Sequence, residues 1–442
     1  MLQPLNNRLL LDYAPDPAYP RVFPFDPPVD LWDNRLFKQG HPFAAYARMR
    51  ERAPVCWCRE GEMTGGGFWA LTRYDDVRKV SLDATTFSSQ KGGILLSYGR
   101  ADMPQGLLRR ASIDAMINLD APVHLKLRRE HMPFFTLGYV ADLKRRVEAK
   151  VTSLLDSIAP LGECDLVEHI SAELPLFTLS EILGLPEADR PKLVRWMHFL
   201  EIAGTTAAEQ SFGTLDPNFF NDFQNAIEEM FDYGQSVLQE RRRNPRDDLL
   251  SAIAHIATEG DLLSPEYLDG SWLLIVFAGN DTTRNSISGT MKLLTENPDQ
   301  KRLLEADPEL IPNMVHEAIR MVTPVIYMRR TATRESELRG QRIAEGEKVM
   351  LYYGAANRDP ALFPDPDRFD VRRANAKDHI AFGIGAHVCL GQRIANMQLE
   401  AVYRQILARF PDMHWTGEID IAANNFVHAI RKLGVAFTPE RR

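Results

Sequence analysis

Segment 382–391 constrains what this chain can fold into more than any other part of the sequence. It reads Phe-Gly-Ile-Gly-Ala-His-Val-Cys-Leu-Gly and lies directly before an amphipathic stretch, residues 392–408, that predicts a helix. Cys389 therefore lies near helix-terminal N–H groups and the positive end of the helix dipole, so we expect a lowered pKa for its thiol. The glycines let the backbone approach a bulky group. Because the segment holds no second sulfur, it favours one axial thiolate on a large flat cofactor over a zinc site or a disulfide.

The composition is that of an ordinary globular protein and disfavours several classes of function. Apolar residues make up 45% of the 442 residues and charged residues 25%, and no linker-like segment divides the chain, so we predict one domain over residues 1–442. The formal net charge of −8 disfavours a nucleic-acid partner, because phosphate binding needs a basic face. Four cysteines in a chain of this length form no disulfide framework and favour a reducing compartment.

The N-terminal stretch, residues 1–20, contains four prolines and several polar residues. It lacks the roughly 20 apolar residues of a membrane-spanning helix. It also lacks the layout of a signal peptide. We therefore predict no membrane anchor and a cytoplasmic localisation.

The hydrophobic pattern predicts a mainly α protein with a minor β region. A helical part covers roughly residues 120–321, where apolar residues recur with helical spacing and strand signals are few. Short strand-like runs bounded by glycine and proline fall in two β-containing parts, roughly residues 20–120 and 322–442.

The second informative segment is 271–283, in which an apolar helix pattern meets Ala278 and Gly279 and then Asp281 and Thr282. A glycine inside a helix costs about 1 kcal/mol relative to alanine, so a close ligand or a locally widened helix is expected there. An acid beside an alcohol could deliver protons to a bound oxygen species through water. The alternative is a plain helix end or a polar patch on a core helix.

Both segments resemble signatures of the cytochrome P450 family. Residues 382–391 match the haem-ligand pattern Phe-Gly-x-Gly-x-His-x-Cys-x-Gly, and residues 278–282 match the Ala/Gly-Gly-x-Asp-Thr pattern of the oxygen-activating helix. The resemblance implies a triangular, helix-rich fold with haem b (iron protoporphyrin IX) between the oxygen-activating helix and the helix of the cysteine loop. It also implies that Cys389 is the axial thiolate of the haem iron. The implied catalytic residues are Thr282, which stabilises the oxygen intermediate, and Asp281, which relays protons to it.

The haem propionates need cationic or donor partners, and the resemblance supplies candidates. Residues 120–128 match the family pattern Asp-x-Pro-x-His-x-x-x-Arg, which places His124 and Arg128 on one helical face. Arg330 aligns with the remaining propionate arginine of the family, and the adjacent Arg329 competes for that role. For each of these side chains alone, a solvated surface position is the ordinary alternative. The implied haem contacts are His124, Arg128, Arg330, His387, Phe382, Ala278 and Gly391.

Glu317 and Arg320 are spaced so that they can pair on one helical face. Alone this is a weak signal, since most such pairs are exposed. The two residues match the Glu-x-x-Arg element of the family, whose third member is an arginine in a proline-rich meander, and Arg368 fits that place. The resemblance implies that Glu317, Arg320 and Arg368 hold the cysteine loop and take no part in the chemistry.

By the same resemblance, apolar side chains line the pocket, and the substrate is a small hydrophobic molecule held by shape. Strings at residues 118–122 and 324–331 look like those of bacterial members that oxidise terpenoids, sterol side chains, branched lipids or alkanes. We expect a terpenoid or steroid-like substrate, with hydroxylation of linear alkanes or fatty acids as the alternative. The predicted pocket residues are Ile94, Leu95, Leu274, Phe277, Val325, Ile326, Phe426 and Val427.

The implied reaction inserts one oxygen atom from dioxygen into a C–H bond and consumes two electrons. The chain contains no flavin or dinucleotide fingerprint and no iron–sulfur cysteine set, so the electrons must come from a separate protein. We expect a ferredoxin with its NAD(P)H-dependent reductase. A basic cluster at Lys126, Arg129, residues 144–146 and Arg393 suits an acidic donor, although a solvated charged face is the common alternative. Rival functions are a non-catalytic haem protein and a carrier of hydrophobic ligands with a structural Cys389.

Overall fold

The computed structural model describes residues 24–25, 29–59, 67–94, 114–209, 218–258 and 261–440. Helices dominate these residues and strands are a minor component, which confirms the predicted fold class. In the same residues, no helix is both long enough and apolar enough to cross a bilayer. That residues 1–442 form one domain stays a prediction.

The long helices form where apolar residues recur with helical spacing. The α-helices are α1 (Phe43–Arg52), α2 (Tyr74–Leu82), α3 (Val123–His131), α4 (Leu137–Ile158), α5 (Glu173–Leu183), α6 (Arg190–Glu209), α7 (Phe219–Arg243), α8 (Leu249–Ala254), α9 (Pro265–Ala278), α10 (Asp281–Glu296), α11 (Pro298–Ala306), α12 (Ile311–Val322), α13 (Tyr353–Ala356) and α14 (Gln392–Arg409). In α4 the buried side chains include Val140, Leu143 and Val147, which share one face. Thr136 caps the first turn of α4 by accepting the N–H of Tyr139 at 3.4 Å.

The strands form two main sheets and two hairpins. They are β1 (Val55–Cys58), β2 (Phe68–Leu71), β3 (Phe87–Ser88), β4 (Glu163–Asp165), β5 (Ala257–Thr258), β6 (Asp261–Leu262), β7 (Tyr327–Ala332), β8 (Ser336–Leu338), β9 (Gln341–Ile343), β10 (Lys348–Tyr352), β11 (His414–Ala422) and β12 (Ala429–Ala436). One sheet has the order β1-β2-β10-β7-β3, with a parallel β2–β10 pair and antiparallel neighbours elsewhere. The other has the order β11-β12-β4, so β4 lies among helices in the sequence because it pairs with a distant strand.

The larger sheet is buried on both faces, and every residue of β1, β2 and β10 is buried. Successive side chains of a strand point to opposite faces. Trp57 and Trp69 therefore pack in one apolar cluster, and Cys56, Cys58 and Tyr352 pack in another. Cys56 and Cys58 therefore share one face of β1, and both are core residues.

A buried carboxylate, Glu317 on α12, holds the irregular segment that follows α13. Arg320 donates to it from Nε at 2.7 Å and from Nη2 at 2.8 Å, and both side chains are completely buried. Arg373 donates from Nε to Oε1 of Glu317 at 2.9 Å. Other N–H groups of the two arginines donate to backbone carbonyls of residues 364–368. One carboxylate thus organises a stretch of chain that has no regular secondary structure.

The third side chain of this group is that of Arg373, so the prediction of Arg368 is wrong. The Arg368 side chain is exposed, and its backbone carbonyl accepts from Arg320 at 3.4 Å and from Arg373 at 2.9 Å. A turn closed by the N–H of Arg373 and the carbonyl of Asp370, 3.0 Å apart, brings position 373 back to Glu317. Spacing along an irregular segment does not reveal which arginine turns inward.

Asn357 links the ion pairs around Glu317 to the cysteine loop, segment 382–391. Its carbonyl accepts from Arg320 at 2.8 Å, and its Nδ2 donates to the Thr323 hydroxyl at 2.9 Å. Its Oδ1 accepts the N–H of Ile380 at 2.8 Å. One side chain therefore joins the end of α12 to the residues that enter segment 382–391.

Removing the second arginine of Glu317 is expected to destabilise the fold. Arg373→Ala breaks a buried ion pair, which typically costs about 3–5 kcal/mol of unfolding free energy. Arg368→Ala removes an exposed side chain from the same segment and is expected to cost about 0.5 kcal/mol or less. Denaturant and thermal unfolding of the two variants measure the difference. Equal losses would contradict the role of Arg373.

Candidate functional site

A cavity of about 280 Å³ gathers side chains from distant parts of the chain. Its wall is formed by α3, α5, α9, α10, β7 and segment 382–391. Aliphatic side chains make up much of the wall, and the polar groups include the Thr282 hydroxyl, the Cys389 thiol and two arginines. The two segments singled out in the sequence therefore meet at one site.

Cys389 lies at the wall, where its side chain is exposed to the enclosed space. Its N–H donates to the Phe382 carbonyl at 2.9 Å, which closes the loop, and α14 begins at Gln392. Burial raises the pKa of the thiol, whereas the N–H groups of Gly391 and Gln392 and the charge of Arg128 lower it. The predicted net lowering is therefore wrong for the protein alone, because these few groups do not offset the loss of water.

Two loop glycines have left-handed backbone torsions, with φ of +71° at Gly383 and +82° at Gly385. A Cβ at Gly385 would lie 2.8 Å from the carbonyl oxygen of Ser81, near the end of α2. This glycine therefore serves a close approach to the protein's own backbone. A Cβ at Gly391 would lie 3.8 Å from the Cys389 sulfur, which is an ordinary contact.

The predicted oxygen-activating segment is interrupted. Helix α9 ends at Ala278 and α10 begins at Asp281, with Gly279 and Asn280 between them, so the helix ends and restarts at the glycine. Thr282 lines the cavity, and its hydroxyl donates to the carbonyl of Ala278 at 3.3 Å. The helix break thus presents an alcohol at the cavity.

Asp281 is not part of the cavity wall as far as the structure describes it. Its Oδ1 accepts from Asn280 Nδ2 at 3.3 Å and lies 3.4 Å from Arg284 Nη2. Burial raises the pKa of this carboxyl, and the charge of Arg284 opposes that effect. Because neighbouring positions on a helix point about 100° apart, Thr282 reaches the cavity and Asp281 does not.

Four of the side chains predicted to contact haem, those of His124, Arg128, Arg330 and His387, line the cavity together. The rings of His124 and His387 lie with their centroids 4.0 Å apart. Burial and the charge of Arg128 lower the pKa of His124 to about 4, and burial and the charge of Arg330 lower the pKa of His387. Both imidazoles are therefore neutral near pH 7, and the two arginines carry the positive charge.

Strand β7 decides between Arg329 and Arg330. Arg330 lines the cavity. Arg329 donates to the Thr331 hydroxyl at 3.3 Å and packs so closely on Gly92 that a Cβ there would overlap its Nη2. Because side chains alternate along a strand, Arg330 is the one that faces the cavity.

A haem with one axial thiolate and two anionic propionates fits these residues. Arg330 is buried and Arg128 is half-buried, and no carboxylate in the described ranges lies within ion-pair distance of either. Buried cations need an anionic partner, which the propionates of a bound haem provide. Phe382, Ala278 and Gly391 line the same cavity.

The predicted pocket residues divide into two groups. Ile94, Leu274 and Val325 line the cavity. Phe277 does not: its side chain is 39% exposed, because it lies on a different face of α9. Leu95 lies outside the described residues.

Ile326, Phe426 and Val427 lie behind the cavity wall and do not line it, contrary to prediction. The N–H of Ile326 donates to the Phe426 carbonyl at 2.8 Å, and the Phe426 ring packs against Tyr327 with centroids 5.4 Å apart. Val427 forms a β-bridge with Val325. In this extended stretch Val325 faces the cavity, so its neighbour Ile326 faces the core.

Sequence reasoning missed the part of the wall that α5 contributes. Thr178, Leu179 and Ile182 line the cavity, together with Met328 of β7. Thr178 and Ile182 share a face of α5 by their spacing. Helix α5 buries most of its side chains, so its periodicity does not distinguish the face toward the cavity from the faces toward the core.

Replacing either cavity arginine is expected to speed haem loss. Arg128→Leu and Arg330→Leu each remove a charged donor, and a hydrogen bond to a charged group contributes about 1.5–3 kcal/mol, or roughly 10- to 100-fold in haem release. Arg129→Leu, on an exposed face of α3, is the matched control. Transfer of haem to an excess of an acceptor protein measures the rate. Rates equal to that of the control would remove both arginines from the haem site.

Comparison with known proteins agrees with this geometry. The family model described as cytochrome P450 matches residues 210–418. The chain is 34% identical to linalool 8-monooxygenase of Pseudomonas putida, over 93% of this chain and 99% of that protein. It is 32% identical to a steroid C26-monooxygenase of Mycobacterium tuberculosis, over 93% of this chain and 98% of that protein.

A solved structure extends the likeness to the fold. The cytochrome P450 of Mycobacterium marinum in complex with pseudoionone matches with a TM-score of 0.82 at 33% identity, covering 91% of this chain and 97% of that one. Sequence identity above 30% over nearly the whole length agrees with the shared fold and with the cysteine-containing cavity. The chain therefore belongs to the cytochrome P450 family, whose helix-rich fold and haem iron it shares.

Proposed function

We propose that this protein is a haem-thiolate monooxygenase that inserts one oxygen atom from dioxygen into a C–H bond of a terpenoid or steroid-like molecule, with haem b as its cofactor. The observation that carries the proposal is the single cavity at which the Cys389 thiol, the Thr282 hydroxyl and an aliphatic wall meet. Haem held by the Cys389 thiolate would supply the O–O cleavage chemistry. The residues of the chain bind and orient this cofactor, exclude water and handle protons.

Different residues would hold the iron and the propionates of the cofactor. Cys389 would bind the iron, and the loop that carries it is closed by the hydrogen bond from its own N–H to the Phe382 carbonyl. Arg128 and Arg330 would bind the propionates, with the imidazole of His124 as a further hydrogen-bonding partner. The residues Glu317, Arg320 and Arg373 are structural and hold the loop in place.

Thr282 is placed to hold a proton at the cavity. Its hydroxyl makes a 3.3 Å hydrogen bond to the Ala278 carbonyl, which is long enough for the hydroxyl to exchange it for a partner in the cavity. Gly279, at the break, lines the same cavity as this hydroxyl. Asp281, on the preceding position, is the acid that passes protons to Thr282 through water.

The shape and chemistry of the wall support a terpenoid or steroid-like substrate. Ile94, Leu274 and Val325 offer only aliphatic contacts, so they select by shape. Two relatives are named for linalool and for a steroid, and the solved neighbour holds pseudoionone. The cavity arginines, Arg128 and Arg330, are assigned to the propionates, which leaves no described cation to anchor a fatty-acid carboxylate.

A ferredoxin with its NAD(P)H-dependent reductase is the proposed electron source. Beside the cavity-facing side of α3, an exposed side carries Leu125, Arg129 and Met132 at helical spacing. Arg393, at the start of α14, is exposed and donates to the Phe135 carbonyl at 3.1 Å, which places it near the end of α3. A surface of mixed apolar and basic side chains suits an acidic donor.

Ligand titration and turnover of the haem-loaded protein test the proposed function. Terpenoids, steroids, linear alkanes and fatty acids are titrated while the high-spin shift of the ferric haem band is followed. We expect the tightest binding from a terpenoid or steroid, and oxygenated product when ferredoxin, reductase and NAD(P)H are added. A tight binder that gives no product and no NAD(P)H oxidation would instead indicate a non-catalytic haem protein. Tighter binding of linear chains would overturn the substrate class.

Thr282→Ala is expected to bind substrate normally but to lower the yield of product per NAD(P)H by about tenfold or more, because a positioned proton donor is lost. The missing electrons should appear as hydrogen peroxide. Thr290→Ala is the matched control: that hydroxyl makes the same kind of hydrogen bond on α10, 2.7 Å to the Ser286 carbonyl, away from the cavity. Unchanged product yield in Thr282→Ala would remove this residue from proton delivery.

A further inference from the structure

Arg284, one turn after Asp281 on α10, is shared between two carboxylates. Its Nη1 donates to Oε2 of Glu201 on α6 at 3.1 Å, and its Nη2 lies 3.4 Å from Oδ1 of Asp281. The side chain of Arg284 is 8% exposed, and those of both acids are 24% exposed. None of the roles assigned above uses this arginine, and it does not line the cavity.

The two contacts of Arg284 differ in kind. The contact with Glu201 is a charge-assisted hydrogen bond. Nη2, by contrast, makes no hydrogen bond with any described residue, Asp281 included. Glu201 also lies near a second cation, since Nε of Arg431 on β12 is 3.5 Å from its Oε1, again without a hydrogen bond. The guanidinium therefore makes its hydrogen bond to Glu201 on α6 and only a longer ion contact to Asp281.

The groups around Asp281 act on its charge in opposite directions. Burial raises the pKa of its carboxyl, the charge of Arg284 lowers it, the charge of Glu201 raises it, and the hydrogen bond from Asn280 lowers it. Arg284 and Asn280 belong to the same stretch of chain as Asp281, Glu201 comes from α6, and Arg431 from β12 faces Glu201. A proton donor must carry its proton for part of the time, and a full ion pair with Arg284 would hold Asp281 ionised.

We propose that Glu201 is a positioning residue for proton delivery: by holding Arg284, it prevents a full ion pair between Arg284 and Asp281 and keeps the Asp281 carboxyl able to give a proton toward Thr282. The inference rests on the proposed monooxygenase function. Without Glu201, the guanidinium can turn to the adjacent Asp281 carboxylate and form the two-pronged pair that arginine favours. Glu201, on α6 and outside the cavity wall, thereby controls the protonation of Asp281 on α10.

The first test measures the ionisation of Asp281 in the haem-loaded, full-length protein. Infrared difference spectroscopy follows the protonated carboxyl band that is lost in Asp281→Asn, and its pH dependence gives a midpoint. We expect Glu201→Gln to lower this midpoint by about one unit, which corresponds to tenfold less protonated acid at a given pH. Glu201→Asp keeps the charge but shortens the side chain, and it should shift the midpoint less, in the same direction. This second variant serves if the glutamine variant does not fold.

A double-mutant cycle distinguishes an effect of Glu201 that passes through Arg284 from a direct effect of its charge on Asp281. In the Arg284→Gln background, Glu201→Gln is expected to move the midpoint by less than a third of its shift in the wild-type background, because the effect passes through the arginine. An equal shift in both backgrounds would assign the effect to the charge of Glu201 alone and overturn the positioning role. Glu229→Gln is the matched control, since it removes an exposed ion pair between α6 and α7, with Arg195 at 2.7 Å.

The second test is the yield of product per NAD(P)H. We expect a severalfold loss in Glu201→Gln at unchanged substrate affinity, recovery in the double variant with Arg284→Gln, and wild-type behaviour in Glu229→Gln. A yield in Glu201→Gln equal to that of the control would overturn the inference. If the wild-type protein gives no product with any substrate class, the proposed function fails, while the infrared cycle still decides whether Glu201 acts on Asp281 through Arg284.

Discussion

The ion pairs of the buried Glu317 carboxylate are the interactions on which the position of the haem site depends. The carboxylate accepts from Arg320 and Arg373, and the remaining donors of these guanidinium groups reach backbone carbonyls, including those of residues 364–368. Ions withdrawn from water are tolerated only when their hydrogen bonds are satisfied. The need to satisfy these hydrogen bonds fixes the conformation of residues 364–368, which have no regular secondary structure. Asn357 then links this arrangement to the cysteine loop, because its Oδ1 accepts the N–H of Ile380 just before the loop.

Two opposite requirements meet in the cavity. An apolar substrate needs a dry, aliphatic wall, yet Arg128 and Arg330 bring two positive charges to the same space. The propionates of a haem cofactor would balance the charges of the two arginines. His124 and His387 add no further positive charge, because both imidazoles are neutral. Outside the cavity wall, charges are balanced by pairing between helices, as at Arg284.

Much of the site could be predicted because its key groups lie in short motifs. Cys389 and Thr282 are each defined by a few neighbouring residues, and the structure places both at one cavity. Prediction failed where packing makes the choice. Arg373 and not Arg368 turns toward Glu317, because a turn in an irregular segment sets the direction. Phe277 lies one position from a residue that lines the cavity, but the rotation of the helix turns it away.

The sequence by itself determined the family, because a lone cysteine in a glycine loop and an acid–alcohol pair after a glycine are recognised from residue type and spacing. Only the tertiary structure decided that Arg330 and not Arg329 faces the cavity, and that the wall includes α5. It also brought Glu201 of α6 against Arg284 of α10, from a distant part of the chain. The physical reason is that side-chain direction, burial and charge pairing depend on partners from remote segments, which no local pattern contains.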